Sequence, residues 1–207
     1  MNKENNQVLV EIPDIAKDIL PEPENVNFYK LYKERIIYVM GEIDSWLLEI
    51  SKMIQIANIE DAGRPAEERR PIKIFIFSQG GEDQATWNFV DFVAASKTPV
   101  WTINAGICMS NGLSILVAGH KRFALKHSTG MYHSGSARIE GIKEQVDAAT
   151  KYIASQDRIY EKWFMDHCKI DQKLFNRKRK MDWYLTAEEM LEYGMVDKII
   201  ESLDEVI

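Results

Sequence analysis

Ser110 is the residue of this sequence best placed to act as a nucleophile. It stands between an expected strand that begins at Val100 and a short, almost wholly apolar helix from Asn111 to Ala118. A hydroxyl at the start of a helix lies among unpaired main-chain N–H groups, which favour the negative charge that develops during attack on a carbonyl. An ordinary N-cap serine is the alternative and is the commoner role. The local sequence leaves both interpretations open.

A nucleophilic serine needs a general base, and the chain has four histidines. His120 and His127 fall in expected turns, and His167 lies near the end of an expected long helix. His133 differs because it closes the apolar strand segment Met131-Tyr132 and precedes a Ser-Gly-Ser loop. A histidine at a strand end is more often structural than catalytic, so this role also stays open.

Asp182 is a candidate for holding an imidazole in the correct tautomer, because it lies among aromatic residues ahead of an expected helix. Surface aspartates are common, and spacing alone does not join it to the serine and the histidine. No two histidines have the spacing of a zinc-binding helix, and neither Cys108 nor Cys168 belongs to a C-x-x-C motif. We therefore expect neither a metal nor a cofactor.

Two adjacent glycines, Gly80 and Gly81, follow an expected strand over residues 72–77. Residues without a Cβ let a backbone approach closely and let N–H groups point towards an oxyanion or the edge of a peptide. A tight turn between a strand and a helix explains the pair equally well. A phosphate-binding loop is excluded because no Lys-Ser or Lys-Thr follows and Glu82-Asp83 would repel phosphate.

Strand and helix patterns alternate along the chain, which predicts an α/β fold with a parallel sheet covered on both faces. Strands are expected at residues 36–40, 72–77, 100–105, 122–125, 130–133 and 196–200, with turns at 78–81 and 106–110. Residues 1–27 hold several prolines and acidic residues and are expected to form a loosely held arm. Residues 28–207 are expected to form one domain.

A long helix is expected from about Ile139 to His167. Apolar side chains recur in it at four-and-three spacing and are interrupted by Gln156; they are Ile142, Val146, Ala149, Ile153, Tyr160 and Trp163. Roughly 28 residues rising 1.5 Å each would reach about 42 Å, which a small domain cannot cover by itself. We expect the helix to project and to pack on a neighbouring subunit.

Composition excludes several classes of protein. The chain has 207 residues, of which 45% are apolar and 28% charged, as in a globular domain. Its net charge of −6 argues against nucleic acid as a partner, and the basic run of residues 177–180 is interpreted as a solvated helix end. No apolar run is long enough to cross a bilayer, and the first twenty residues do not suit a signal peptide. Two cysteines give no disulfide framework, so a reducing, cytoplasmic location is expected.

Taken together, these segments resemble the proteolytic subunits of the Clp protease family, which are serine peptidases of the ClpP/crotonase fold. The segments that carry the resemblance are residues 33–37 with Gly41-Glu42, Ser78-Gln79-Gly80-Gly81, Met109-Ser110-Asn111-Gly112, residues 121–125, His133, and residues 182–197. They occur in the family's order and at similar spacings over about residues 28 to 200. Gln79, where the family usually has proline, is one departure.

The resemblance implies repeated ββα/βαβ units, a parallel sheet and a projecting handle helix at about residues 139–167. It implies that Ser110 is the nucleophile, His133 the general base and Asp182 the residue that orients the base. The main-chain amides of Gly81 and Asn111 would be the oxyanion donors. The implied activity is that of a serine endopeptidase that forms an acyl-enzyme.

The resemblance also implies assembly and partners. Seven-membered rings of this chain would stack in pairs through the handle helix and enclose the active sites, and an AAA+ unfoldase would feed polypeptide substrates into the chamber. A catalytically silent or regulatory ring subunit is the alternative, and the presence of all three candidate residues counts against it. The fold also houses acyl-CoA enzymes that stabilise an enolate without a serine nucleophile, which the serine, histidine and aspartate disfavour.

Overall fold

The computed structural model describes residues 23–207 except residue 136. The chain divides into two compact units, Met1–Glu34 and Arg35–Ile207. Helix α1 (Pro23–Lys33) belongs to the first unit. Most of the expected arm, residues 1–27, lies outside the described residues, and the boundary placed at residue 28 stays a prediction.

The second unit alternates strands and helices, which confirms the α/β class. Its elements are β1 (Ile36–Ile43), α2 (Leu47–Glu60), β2 (Ile72–Gly81), α3 (Asp83–Ala95), β3 (Val100–Met109), α4 (Asn111–Ala118), β4 (Lys121–Leu125), β5 (Thr129–Tyr132), α5 (Lys143–His167), α6 (Gln172–Lys178), β6 (Trp183–Leu185), α7 (Ala187–Glu192) and β7 (Lys198–Ile200). Short 3₁₀ turns lie at Ala66–Glu68 and Leu203–Glu205.

The strands of this unit form one mostly parallel sheet, as the sequence predicts. The order is β1-β2-β3-β4-β7, with every neighbouring pair parallel. Strand β5 adds to β3 in parallel, and β6 adds to β5 in the antiparallel sense. Central strands are apolar because both of their faces are covered, and Val39, Ile74 and Ile103 are fully buried.

Strand β3 is longer than expected and changes partner along its length. The sequence predicts that it ends at residue 105 and that a turn occupies 106–110, but the strand runs to Met109. Its first half pairs with β4 and its second half, from Ile107 to Met109, pairs with β5. Gly106 marks the change: its φ is +157°, and a Cβ there would lie 2.7 Å from the ring of Phe77. The glycine therefore serves close packing inside a strand.

Strand β2 also continues further than expected. It runs through Gly81, which lies opposite Ile43 of β1, so that residues 78–81 belong to the sheet and form no separate turn. The paired glycines therefore lie at the carboxyl end of a central strand. Ligands of parallel α/β sheets bind at this edge.

Helix α5 is the expected long helix, with a later start and 25 residues. It begins at Lys143 because Gly141 has a φ of +157°, which is not helical, and Ile142 is extended. The predicted apolar row divides in two. Tyr160 and Trp163 pack against the core beside the fully buried Phe164, whereas residues 143–154 are all exposed or half-buried. Only the second half of the helix is covered by its own domain.

Candidate active site

Ser110 occupies a strained turn between β3 and α4. Its φ of 52° and ψ of −124° lie in a region that residues with a Cβ rarely adopt. The turn is anchored because the main-chain N–H of Ser110 donates to the carbonyl of Met131 at 2.8 Å. Although Ser110 precedes the helix, its side chain accepts no hydrogen bond from it. The N-cap alternative therefore does not account for this serine, and the geometry is that of a nucleophile elbow.

The paired glycines allow β2 to pass directly against this turn. A Cβ on Gly80 would lie 2.7 Å from Cβ of Ser110 and 3.0 Å from the main-chain nitrogen of Asn111. A Cβ on Gly81 would lie 2.0 Å from the carbonyl oxygen of Ile43. Their φ values of +103° and +153° also exclude ordinary side chains. Both positions require glycine, and the end of β2 contacts the backbone that holds Ser110.

His133 reaches Ser110 through the pairing of β3 with β5. Met109 and Met131 are opposite one another in that pair, so the residues that follow the two strands are neighbours. The imidazole Nε2 of His133 lies 2.8 Å from Oγ of Ser110. The distance is that of a hydrogen bond, and its direction depends on the histidine tautomer.

Asp182 is brought to the same place by the antiparallel pairing of β5 with β6. Tyr132 lies opposite Trp183, so His133 and Asp182 are the next residues beyond this pair. The nearest oxygen of Asp182 is 3.5 Å from Nδ1 of His133, and the aspartate side chain is 58% exposed. The structure thus brings all three candidate residues together, with direct hydrogen-bond contact between the serine and the histidine.

Two of the other histidines are engaged elsewhere. The ring Nδ1 of His120 accepts the N–H of Val100 at 2.9 Å, and burial lowers the pKa of His120. His167 lies against the ring of Trp163, and its Nδ1 is 2.7 Å from the carbonyl oxygen of that residue. His133 is the histidine that contacts Ser110.

Asn111 connects the turn to the end of β2. Its main-chain N–H belongs to the first turn of α4, where donors have no partner inside the helix. Its side-chain Nδ2 donates to the carbonyl of Gly81 and to Oδ1 of Asp83, both at 2.7 Å. Sequence reasoning missed these side-chain contacts. A polar residue directly after Ser110 was the only sign of them.

A cleft lined by aromatic side chains opens beside Ser110, between α3, α4 and α5. Trp87 meets Tyr160 and Trp163 edge to face, with ring centroids 6.2 and 5.6 Å apart. The hydroxyl of Ser114 lies 3.1 Å from that of Tyr160, whose pKa is raised by burial, so the phenol stays neutral. The polar Gln156, which interrupted the apolar row of the sequence, also lines the cleft. The cleft suits an apolar side chain next to a bond held at Ser110.

Arg179 connects helix α5 to the loops of the candidate residues. Its guanidinium pairs with Glu161 of α5, and its carbonyl accepts the hydroxyl of Ser134 at 2.9 Å. Ser134 directly follows His133, and Arg179 lies three residues before Asp182. The basic run at 177–180 was interpreted as a solvated helix end, and Arg179 departs from that prediction because it is half-buried and paired.

Residues 23–135 and 137–207 contain neither a cluster of metal ligands nor a membrane-spanning helix. In these ranges no three His, Cys, Asp or Glu side chains come close enough together to hold a metal ion. Nor does any helix in them combine the length and the apolar content needed to span a membrane.

A serine on a strained turn after a parallel strand, in contact with a histidine, is typical of serine hydrolases on α/β folds. The sequence model of the Clp protease family matches residues 22–203. The ATP-dependent Clp protease proteolytic subunit of Deinococcus radiodurans is 28% identical over 202 residues, which are 96% of this chain and 97% of that protein. The chain belongs to the Clp protease family and is a serine peptidase.

Proposed function

We propose that this chain is an active serine endopeptidase in which Ser110 is the nucleophile. The single observation that carries the proposal is the 2.8 Å contact between Oγ of Ser110 and Nε2 of His133 at a strained turn. A serine hydroxyl is a weak nucleophile until a neighbouring base can accept its proton. Strain at such a turn is maintained where it holds a reactive group in place.

The reaction begins when Ser110 Oγ attacks the carbonyl carbon of a peptide bond and Nε2 of His133 accepts its proton. The tetrahedral intermediate collapses as His133 returns that proton to the leaving amine, which breaks the peptide bond and leaves an ester on Ser110. Water then attacks the ester, His133 again accepts and returns a proton, and the acid product leaves. No metal or cofactor takes part.

Asp182 and two main-chain amides complete the proposed site. The carboxylate of Asp182 orients the ring of His133 and stabilises the imidazolium that forms during attack. The N–H groups of Gly81 and Asn111 would donate to the oxyanion, as the family resemblance implies. The close approach of Gly80 to Ser110 and to the nitrogen of Asn111 supports this, because it holds the end of β2 beside the serine.

A catalytically silent ring subunit is the second candidate. A scaffold needs no strained serine in contact with a histidine, so the geometry favours the active peptidase. An acyl-CoA enzyme is disfavoured for the same reason, because enolate chemistry at an oxyanion site does not require a serine nucleophile.

We also propose that the chain acts inside an assembly. The Deinococcus relative is named as an ATP-dependent subunit, which suits stacked seven-membered rings supplied with unfolded polypeptide by an AAA+ ATPase. The uncovered apolar side chains of Ile142, Tyr152 and Ile159 along the handle segment support contacts between subunits. The free cysteines Cys108 and Cys168 accord with a reducing cytoplasm.

The test is covalent labelling of the assembled protein with a fluorophosphonate probe, followed by peptide mapping. The label is expected on Ser110 and is expected to disappear in Ser110→Ala. Ser155→Ala, which changes a serine on α5 whose hydroxyl donates to the carbonyl of Tyr152 in the same helix, should retain the label on Ser110. Absence of label on Ser110 in the assembled wild type would favour the silent subunit.

A further inference from the structure

The side chain of Asn111 has a role beyond the one implied for its main chain. It is 8% exposed, and the two hydrogens of its Nδ2 have separate acceptors, the carbonyl of Gly81 and Oδ1 of Asp83. An amide group has two N–H donors, so both are used. Because one acceptor is a carboxylate, that bond is of the stronger, charge-assisted kind.

The peptide between Gly81 and Glu82 is held at both ends. Its carbonyl accepts from Asn111, and its N–H, which belongs to Glu82, donates to the carbonyl of Ile43 at 2.8 Å. Two consecutive glycines allow many backbone conformations. The position of the neighbouring main-chain N–H of Gly81, the proposed oxyanion donor, therefore depends on restraints of this kind on the segment. The restraint from Asn111 comes from the residue that directly follows Ser110.

We propose that the Asn111 side chain is a positioning residue that fixes the distance between the two oxyanion donors, the main-chain N–H groups of Gly81 and Asn111. The inference rests on the proposed function. Asn111 supplies one donor, its own main-chain N–H. Its side chain holds the segment that supplies the other donor, the N–H of Gly81. Asp83, the first residue of α3, orients the amide for this purpose.

A purely structural role is the competing explanation, since the same bonds join α4 to β2 and α3. The two roles differ in what they change. Loss of a positioned oxyanion donor lowers kcat with little change in KM, because the donor acts mainly in the transition state. Loss of packing alone lowers thermal stability and does not lower kcat selectively over KM.

Asn111→Asp is the decisive variant because it keeps the shape, removes both donors when ionised and places a second carboxylate beside Asp83. At pH 8 we expect kcat to fall by about 10- to 100-fold, with KM changed by less than about threefold. A proton shared between the two neighbouring carboxylates at lower pH would remake the bond between positions 111 and 83 and not the bond to the carbonyl of Gly81. The ratio of variant to wild-type kcat should therefore stay low from pH 8 to pH 5.5.

Asn111→Leu is the matched control, since leucine has a similar size and cannot donate at any pH. Its kcat should be as low as that of Asn111→Asp at pH 8, and its ratio to wild type should not rise as the pH falls. Should Asn111→Asp fail to fold, a normal kcat in Asn111→Leu would overturn the inference and a kcat loss without a KM change would support it.

Exchanging the amide of Asn111 with the carboxylate of Asp83 gives a second way to distinguish positioning from packing. The double variant Asn111→Asp with Asp83→Asn can remake a hydrogen bond between these two side chains with the donor on the other partner. It cannot remake the bond to the carbonyl of Gly81. We expect the melting temperature to recover towards that of wild type while kcat stays low.

The outcomes distinguish this inference from the proposed function. Absence of fluorophosphonate label on Ser110 in wild type would overturn the proposed function itself. A labelled wild type whose Asn111 variants keep wild-type kcat across this pH range would leave the peptidase standing and refute the role of the side chain. Recovery of kcat in the double variant would also refute it.

Discussion

The carboxylate of Asp182 lies 3.5 Å from Nδ1 of His133, beyond the usual length of a hydrogen bond, although the same ring is 2.8 Å from Ser110. Asp182 is also largely exposed. The serine and histidine are therefore in contact in the single chain, while the aspartate and histidine are close without being bonded. Contacts of this kind often tighten when substrate binds.

This difference predicts unequal effects of substitution at the two positions. On the proposed mechanism, His133→Ala should lower kcat for a fluorogenic peptide by about 10⁴-fold or more, since it removes the base. Asp182→Asn should lower kcat by a smaller factor of about 10²- to 10⁴-fold, because it leaves the base in place. Near-normal turnover in either variant would show that the wrong histidine or aspartate has been assigned.

A second prediction concerns the close contact between Gly80 and Ser110. In Gly80→Ala the new methyl group would lie 2.7 Å from Cβ of Ser110 and 2.8 Å from the carbonyl of Met109. The turn must shift to accept it, and displacement of a nucleophile by about 1 Å is enough to lower rates by about 100-fold. The rate of fluorophosphonate labelling measures the effect directly.

Gly63→Ala is the control for backbone strain without contact with the site. Gly63 also has a positive φ, of +83°, but a Cβ there has no atom within 4 Å. It should lose about 1 kcal/mol of stability from strain and keep the labelling rate. If both alanine variants label at the wild-type rate, the packing of β2 against Ser110 has no bearing on its reactivity.

The sequence predicts the types of element well and the contacts between them poorly. Apolar runs around Ile74 and Ile103 specify buried strands wherever they pair, so the parallel sheet follows from local pattern. The meeting of Ser110, His133 and Asp182 depends instead on β3 changing partner to β5 and on the pairing of β5 with β6. Those pairings join distant segments, so only the family resemblance suggested that the three residues are neighbours.

Glycine explains the main errors in the expected boundaries. Gly81 and Gly106 were expected to lie in turns. Both belong to strands, at positions where a Cβ would collide with a neighbour. Gly141 was placed inside the long helix and instead precedes it. The same residue type serves a turn, a close contact or a helix start, and only the surrounding structure decides which.

A third prediction concerns stability and pH at Asp61. This carboxylate is fully buried and bonds to the guanidinium of Arg35 at 2.6 Å and to the hydroxyl of Thr98 at 3.0 Å. Hydrogen bonding to Arg35 lowers the pKa of Asp61 below its value in the unfolded chain. Asp61→Asn should lower the free energy of unfolding at pH 7 by about 2 kcal/mol or more, because it leaves Arg35 without its buried partner.

The pH dependence follows from the direction of that shift. Between the folded and unfolded pKa values of Asp61 the unfolded chain binds more protons, so wild-type stability falls as the pH drops through this interval. Asp61→Asn has no titrating group at this position. The difference in the free energy of unfolding between wild type and variant should therefore shrink as the pH falls. Urea unfolding at a fixed protein concentration from pH 7 to pH 3 measures it. Glu60→Gln, which changes the exposed partner of Arg35, should cost less than about 1 kcal/mol.

A fourth prediction tests enclosure of the site. Short fluorogenic peptides should enter an enclosed chamber unaided and be hydrolysed without ATP. An apolar residue before the cleaved bond should be preferred, since the cleft beside Ser110 is lined by Trp87, Tyr160 and Trp163. Folded proteins should survive unless an unfoldase is added. Gel analysis of a stable folded protein incubated with the chain alone checks this, and its rapid cleavage would contradict an enclosed site.

The last prediction is that the first half of α5 is buried by assembly. Ile142, just before this helix, is 64% exposed, and Tyr152 in its first half is 54% exposed. A charge placed in a buried apolar interface is strongly unfavourable, so Ile142→Asp should split the proposed double rings into single rings or monomers. Asn176→Asp introduces the same charge at an exposed polar side chain of α6, where no apolar surface is present to be buried, and should leave the assembly intact. Sedimentation velocity or native mass spectrometry distinguishes these species.

Peptidase activity should fall together with assembly. The ion pair between Glu161 and Arg179 connects α5 to the loop that leads to Asp182, and the bond from Ser134 to Arg179 connects it to His133. Loss of the neighbouring subunit would release the helix and weaken the alignment of an aspartate that is already 3.5 Å from its histidine. We expect the dissociated variant to lose kcat while keeping its melting transition. A fully active wild-type monomer at working concentration would rule out the ring as a requirement for catalysis.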